Sequence, residues 1–90
     1  MTLAEMKVAL RISTTALDSQ ITSEIASAQA ELVRAGMSSA AFAQETALTD
    51  RAIETYVRAL HAADTTEREG YYKSFEIQSE QLRKTYPSGS

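Results

Sequence analysis

Apolar residues recur at steps of three and four along most of this sequence. That spacing places side chains on one face of an α-helix. It predicts a helix after Thr2, a second over 17–35, a third over 48–63 and a fourth from about Thr66. Residues 37–46 lack the pattern, and we expect a loop there with a helical turn around Phe42. The predicted fold is all-α, a small bundle of about four helices: a short N-terminal helix, a long second helix, a third helix and a C-terminal helix with a flexible tail.

Helix boundaries can be predicted from residues that pair with free backbone groups. Thr2 and Glu5 have the spacing of a capping box, and Thr66 with Glu69 would form another. The hydroxyl residues 13–15 are expected to end the first helix soon after residue 12. Gly36 follows the last apolar position of the second helix, as a C′ glycine does. Thr49 or Asp50 is expected to begin the third helix.

The same periodicity selects the core. The expected core residues are Leu3, Met6, Leu10, Leu17, Ile21, Ile25, Leu32, Ile53, Tyr56, Val57, Leu60, Phe75 and Leu82. Gly70, inside the fourth helix, costs stability relative to alanine. We favour a position that simply tolerates glycine over one where a neighbouring backbone comes close.

Length and composition limit what this chain can be. Its 90 residues suit one small domain, predicted over 1–86, with a flexible tail over 87–90. Much of the apolar fraction is alanine, so the core should be thin and contacts with other chains should add stability. No apolar run is long enough to cross a bilayer, and the absence of cysteine excludes disulfides and thiolate chemistry.

Catalytic chemistry has little support in the sequence. His61 is the only histidine, and a metal site would need further ligands that the spacing does not offer. A structural or surface role for His61 is favoured. The three glycines lie too far apart to cradle a phosphate, and the acids are spread along the helices. We therefore predict no enzyme, no catalytic residue, no cofactor and no metal.

Duplex DNA is an alternative partner. Arg51 and Arg58 are seven positions apart and so share one helix face, with Arg68 nearby in sequence. Against this, Glu54 lies between the first two, and the whole chain has a net charge of −3. A surface that binds phosphates usually concentrates bases. A small DNA-binding protein for packaging or regulation is thus the second hypothesis.

Two stretches of the chain resemble the small helical head–tail connector (adaptor) proteins of tailed bacteriophages and prophages. They are Thr2-Leu3 through Leu10-Arg11-Ile12 to Leu17-Asp18 and Ile21–Ala28, and Ala52–Ala59 followed by Asp64 and Tyr71–Leu82. Their order matches a short helix with a Leu-Arg-Ile-like end, a long helix with Ile and Ala repeats, a third helix, a turn and a last helix. The loop after Ile12 is less acidic than is usual in that family, and the turn at Asp64 lacks its Asn-Pro.

The resemblance implies a structural virion protein at the head–tail interface, assembled in the bacterial cytoplasm. Such subunits form rings of about a dozen copies beneath the portal and receive a stopper or tail-completion protein. Duplex DNA would pass through without sequence-specific binding. The apolar stripe of the last helix and the tail are candidates for docking. The expected partner-binding residues are Tyr71, Leu82, Tyr86 and Pro87.

Overall fold

The computed structural model describes residues 1–44 and 47–87. It contains four α-helices in the described residues: α1 (Leu3–Leu10), α2 (Asp18–Arg34), α3 (Ala47–Leu60) and α4 (Thr65–Thr85). A 3₁₀ helix, Ser39–Gln44, lies between α2 and α3. Within the described ranges the only β-type pairing is an isolated bridge between Met37 and Pro87. The all-α prediction is confirmed.

The start of α1 follows the sequence prediction closely. The backbone N–H of Thr2 donates to Oε1 of Glu5 at 2.8 Å, and that of Glu5 donates to Oγ1 of Thr2 at 3.2 Å. Both arms of the predicted capping box are therefore present. The helix ends earlier than predicted, because Arg11 adopts a left-handed conformation with φ of 58°. The backbone N–H of Arg11 donates to the carbonyl of Val8 at 3.1 Å.

The starts of α3 and α4 were predicted at the wrong residues. α3 begins at Ala47, so Thr49 lies inside the helix and is buried. α3 also ends at Leu60, three residues before the predicted limit. The cap of α4 is Asp64, whose Oδ1 accepts the N–H of Glu67 at 2.8 Å, and not Thr66. A carboxylate at the N-cap also interacts favourably with the helix dipole.

Gly36 ends α2 as predicted. Its φ is +112°, and the side chain of Arg83 on α4 lies against it: an added Cβ would come within 2.8 Å of Cδ and 2.9 Å of Cγ. A side chain there would meet both backbone strain and Arg83. Gly70, in contrast, has no atom within 4 Å of such a Cβ, so no neighbouring backbone explains it.

The core lies between α3 and the other helices. Most of the predicted core residues are buried, and Leu3, Leu10, Leu17 and Tyr56 are partly buried against it. Leu60 was predicted wrongly, since it is 38% exposed at the last position of α3. Alanine contributes more than expected: the buried alanines are Ala28, Ala41, Ala52 and Ala59. Small side chains let helix backbones approach closely, which partly offsets the small area each one buries.

Two buried hydroxyl groups, on α3 and α4, are satisfied within their own helices. The Ser79 hydroxyl donates to the carbonyl of Phe75 at 2.7 Å, and the Thr55 hydroxyl donates to that of Arg51 at 2.8 Å. Each bond stays within one turn of its own helix. Ser79 therefore fits into the apolar stripe of α4 without a partner on another helix.

Three helices surround α3, and each is fixed by a polar or aromatic contact. On α1, the carbonyl of Ala9 accepts a hydrogen bond from Nη2 of Arg58 at 3.0 Å. On α2, Oε1 of Glu24 lies 2.7 Å from Nε2 of His61, the residue that follows α3. On α4, the ring of Phe75 packs on that of Tyr56. The predicted 1–86 domain stays a prediction; Glu45 and Thr46, at the end of the predicted loop, and 88–90 of the predicted tail lie outside the described residues.

Candidate functional site: an aromatic groove between α2 and α4

A concave surface lies between α2 and α4, over α3. It has a volume of about 770 Å³ and opens to solvent. We call it the aromatic groove. Its floor consists of Tyr56, Tyr72 and Phe75. Its walls consist of Glu31 and Arg34 on α2 with Ala35 directly after that helix, and of Glu76, Ser79 and Glu80 on α4.

The floor of the groove is a set of interacting rings. Tyr56 lies 5.1 Å from Phe75 and 6.2 Å, edge to face, from Tyr72, measured between ring centroids. Phe75 is buried, while the two tyrosines are half-buried. Tyrosine, which combines an apolar ring with a polar hydroxyl group, is enriched at protein interfaces. The floor thus offers apolar contact area together with two hydroxyl groups.

The walls carry more negative than positive side chains. Oε2 of Glu31 accepts from Nη2 of Arg34 at 2.7 Å, which raises the pKa of Arg34. Glu80 pairs with Arg83, and that hydrogen bond lowers the pKa of the Glu80 carboxyl. Within 1–44 and 47–87, Glu76 forms no ion pair. It is the carboxylate left available to a cationic partner.

Burial and local charge also act on the floor. The pKa of Tyr56 is raised, first by burial and then by the negative charge of Glu31. Both effects disfavour the phenolate. Tyr56 therefore stays a neutral hydrogen-bonding group at physiological pH.

The four residues expected to bind a partner do not form one surface. Leu82 is 1% exposed, so its side chain belongs to the core and is not available to a partner. Tyr86 is half-buried, and its carbonyl accepts the N–H of Ser38 at 2.7 Å. Pro87 is exposed and bridges to Met37. Tyr71 lies about 22 Å from this end of α4, at 1.5 Å per residue.

Tyr71 lies in a second cleft, on the α1 side of the molecule. It is half-buried there, beside Arg58, His61 and the C-terminal end of α1. Tyr72, its neighbour in sequence, points into the aromatic groove instead. The two tyrosines therefore face different surfaces, as expected from their 100° separation on a helix.

The three arginines of the DNA hypothesis have different surroundings. Arg58 is engaged within the fold: Nε donates to Glu54 at 3.2 Å and Nη2 donates to Ala9. Arg51 is exposed beside Leu82 of α4. Arg68 is exposed in the first turns of α4. Arg58 would have to give up both contacts in order to bind phosphate.

His61, the residue directly after α3, connects the end of that helix to α2. Its Nε2 lies 2.7 Å from Oε1 of Glu24, and both side chains are largely shielded from solvent. This geometry fits the structural role favoured from the sequence. Among the described residues no group of three or more metal-ligating side chains comes together.

The aromatic groove was not predicted from the sequence. Tyr56 was predicted as a core residue of α3, and it is half-buried, with its side chain lining the groove. The available signal was residue type, because a tyrosine on a core stripe often keeps its hydroxyl at the protein surface.

No helix in the described part of the chain combines the length and apolar character needed to span a bilayer.

The chain matches no protein-family model, no curated protein and no solved structure.

Proposed function

We propose that this protein is a structural subunit of a bacteriophage head–tail connector, built as a small helical bundle. In this role copies of the chain form a ring beneath the portal protein, extend the DNA channel and receive a stopper or tail-completion protein. The protein works by contact and not as an enzyme. It resides in the virion after assembly in the bacterial cytoplasm.

The aromatic groove is the observation that carries this proposal. A half-buried aromatic floor with charged walls is suited to contact with another protein. The chain also has a small core rich in alanine, for which association adds stability by mass action. A subunit of an assembly needs a surface that contacts its neighbours, and this chain would gain stability from such a contact.

The helix order supports the same function. The first stretch that resembles the connector family covers α1, the loop after it and the first half of α2. The second covers α3, the turn at Asp64 and most of α4. The resemblance therefore includes parts of all four α-helices, in the same order along the chain.

Deletion of the gene from the phage or prophage that carries it tests the proposal. We expect DNA-filled heads and separate tails, and mass spectrometry should detect the protein in wild-type virions. Virions that lack the protein, together with necks that assemble normally after deletion, would overturn the proposal.

Two neighbouring tyrosines allow the groove itself to be tested by complementation. Tyr72→Ser alters the groove floor, while Tyr71→Ser alters the separate cleft. We expect Tyr72→Ser to reduce the yield of joined virions more than Tyr71→Ser, with circular dichroism confirming that both variants fold. Full complementation by Tyr72→Ser would show that the groove is not a joining surface.

The DNA hypothesis is weaker in this fold because Arg58 is held by Glu54 and the end of α1. Binding of duplex DNA that weakens with salt and is lost in Arg51→Ala/Arg58→Ala would favour it. Affinity that the double substitution leaves unchanged would exclude these arginines as the contacts.

A further inference from the structure

The side of α4 that faces away from the core carries one large exposed apolar residue. Ile77 is 63% exposed, and it lies two positions from Phe75 and from Ser79, both of which are buried. Two positions along an α-helix correspond to a rotation of about 200°, so Ile77 points almost directly away from the core. We call the surface around Ile77 the outer face of α4. Single exposed apolar residues are common, so a partner has to be inferred from the charges around this one.

Four exposed charged residues border Ile77 on one side: Glu69, Lys73, Glu80 and Lys84. At about 100° per residue, all four lie within roughly 80° of Ile77 in the same direction around the helix. Neither lysine forms an ion pair within the described ranges. Glu80 pairs with Arg83 through Oε1, which leaves Oε2 for another cation. The neighbours of Ile77 on its other side, Ser74 and Gln81, are exposed and uncharged.

The order of these charges matches a second α4 that runs in the opposite direction. When Ile77 of one helix lies against Ile77 of the other, a residue some positions before it faces the residue as many positions after it. Lys73 lies four positions before Ile77 and Glu80 three after it, while Lys84 lies seven after and Glu69 eight before. Each lysine is thus within about 1.5 Å, along the helix axis, of a glutamate of the second helix. A two-fold axis brings the charged borders of both helices to the same side, so all these pairs form in one register.

We propose that two copies of this chain pair in solution through the outer face of α4, antiparallel and about a two-fold axis at Ile77. The two isoleucines cover each other, and the four lysine–glutamate pairs fix direction and register. Glu76 lies about 100° from Ile77 and lines the aromatic groove, so it stays outside the contact. The contact is one helix face wide, so we expect a weak dimer. A two-fold contact closes on two copies, so it goes beyond the ring contacts of the proposed function.

Sedimentation equilibrium at protein concentrations up to about 1 mM measures this dimer. Ile77→Asp places two carboxylates at the two-fold axis, and we expect it to raise the Kd of the dimer about tenfold or more. Val8→Asp is the matched control, because Val8 is 78% exposed on α1, and it should leave the Kd unchanged. Circular dichroism should show that both variants fold. A wild-type chain that stays monomeric, or an Ile77→Asp chain that pairs as tightly as wild type, would overturn the proposal.

A charge exchange tests the antiparallel register. Lys84→Glu places glutamate against glutamate in its own dimer, and Glu69→Lys places lysine against lysine. A mixture of the two variants restores opposite charges at both positions, so it should dimerise several-fold more tightly than either variant alone. Arg68→Glu makes the same change in net charge on the opposite side of α4, and its mixture with Glu69→Lys should show no such gain. A Lys84→Glu mixture no better than the Arg68→Glu mixture would refute the register.

Disulfide trapping tests the same register without altering a charge, because the chain has no cysteine. Ser74 lies three positions before Ile77 and Gln81 four after it, so they face each other, and a disulfide requires Cα atoms within about 7 Å. Under mild oxidation, Ser74→Cys mixed with Gln81→Cys should form a disulfide several-fold faster than Gln81→Cys with itself. Two copies of residue 81 would lie about 12 Å apart along the axis. Equal rates would contradict the contact.

These results are separable from the test of the proposed function. If gene deletion leaves heads and tails unjoined but the free protein shows no pairing through α4, the connector role stands and this contact falls. If the charge exchange and the trapping succeed but the protein is absent from virions, the contact stands and the connector role falls.

Discussion

Gly36 and Gly70 make a matched pair, for which the same substitution by alanine should have opposite effects on stability. Gly70 lies within α4, is exposed, and has open space around the site of a Cβ. Gly70→Ala should therefore stabilise the protein by about 1 kcal/mol, through helix propensity and a less flexible unfolded chain. Gly36 has a φ of +112°, where an L-residue loses roughly 1–2 kcal/mol.

The contact with Arg83 adds to the cost at Gly36. An alanine Cβ would lie 2.8 Å from Cδ of that side chain, so Arg83 must shift away. Because the Arg83 side chain is flexible and its pair with Glu80 is exposed, backbone strain should dominate. The two variants should thus differ in their free energies of unfolding by about 2–3 kcal/mol.

Thermal unfolding followed by far-UV circular dichroism measures this difference. For a domain of this size, 1 kcal/mol corresponds to roughly 4–8 °C in Tm. Gly70→Ala should unfold above wild type and Gly36→Ala below it, at one protein concentration because association would shift both. A Gly36→Ala variant as stable as wild type would refute the left-handed connection, and a less stable Gly70→Ala would refute the open surroundings of Gly70.

Three further predictions follow from the packing of α3. Ile53→Ala should lower the free energy of unfolding by about 2–5 kcal/mol, and substitution of the exposed Leu60 by alanine should lower it far less. Urea unfolding measures both losses, and equal losses would show that Leu60 is packed in the core. Arg58→Lys should lose the bond to Ala9 and about 1 kcal/mol of stability, and an unchanged urea midpoint would show that this bond contributes nothing. Folding raises the pKa of the Tyr56 phenol above its ordinary value of 10.0. The stability that comes from keeping this phenol neutral is therefore complete below pH 10.0 and is lost as pH rises through the folded-state pKa. Urea midpoints in alkaline buffers should therefore fall less for Tyr56→Phe than for wild type, and parallel pH profiles would contradict the assignment.

The sequence was informative wherever the structural cause is local. The three- and four-residue spacing predicted each α-helix, the Thr2–Glu5 pair predicted a capping box, and Gly36 predicted the end of α2. Each depends on groups within about one turn of the chain. These features required no knowledge of how the helices pack.

The wrong predictions involve competing local signals or the spacing between helices. The cap of α4 was predicted at Thr66, with Glu69 three residues on, whereas Asp64 forms it with Glu67 at the same separation. Leu60 continues the apolar stripe of α3, but the helix ends there. The aromatic groove depends on how α2, α3 and α4 pack together, a relation between residues far apart in sequence.

A hydrogen bond from the Ser38 amide to the Tyr86 carbonyl joins the C-terminal end of α4 to the segment that follows α2. The state of this end of α4 can therefore be measured at Ser38. Ser38 and Tyr86 are roughly 50 positions apart, so bringing them together costs chain entropy and is slower than forming any single helix. Exchange of the Ser38 amide proton with deuterium should therefore report undocking of the last turn of α4. Binding of a partner at Tyr86 and Pro87 would change that exchange rate without any label at the contact itself.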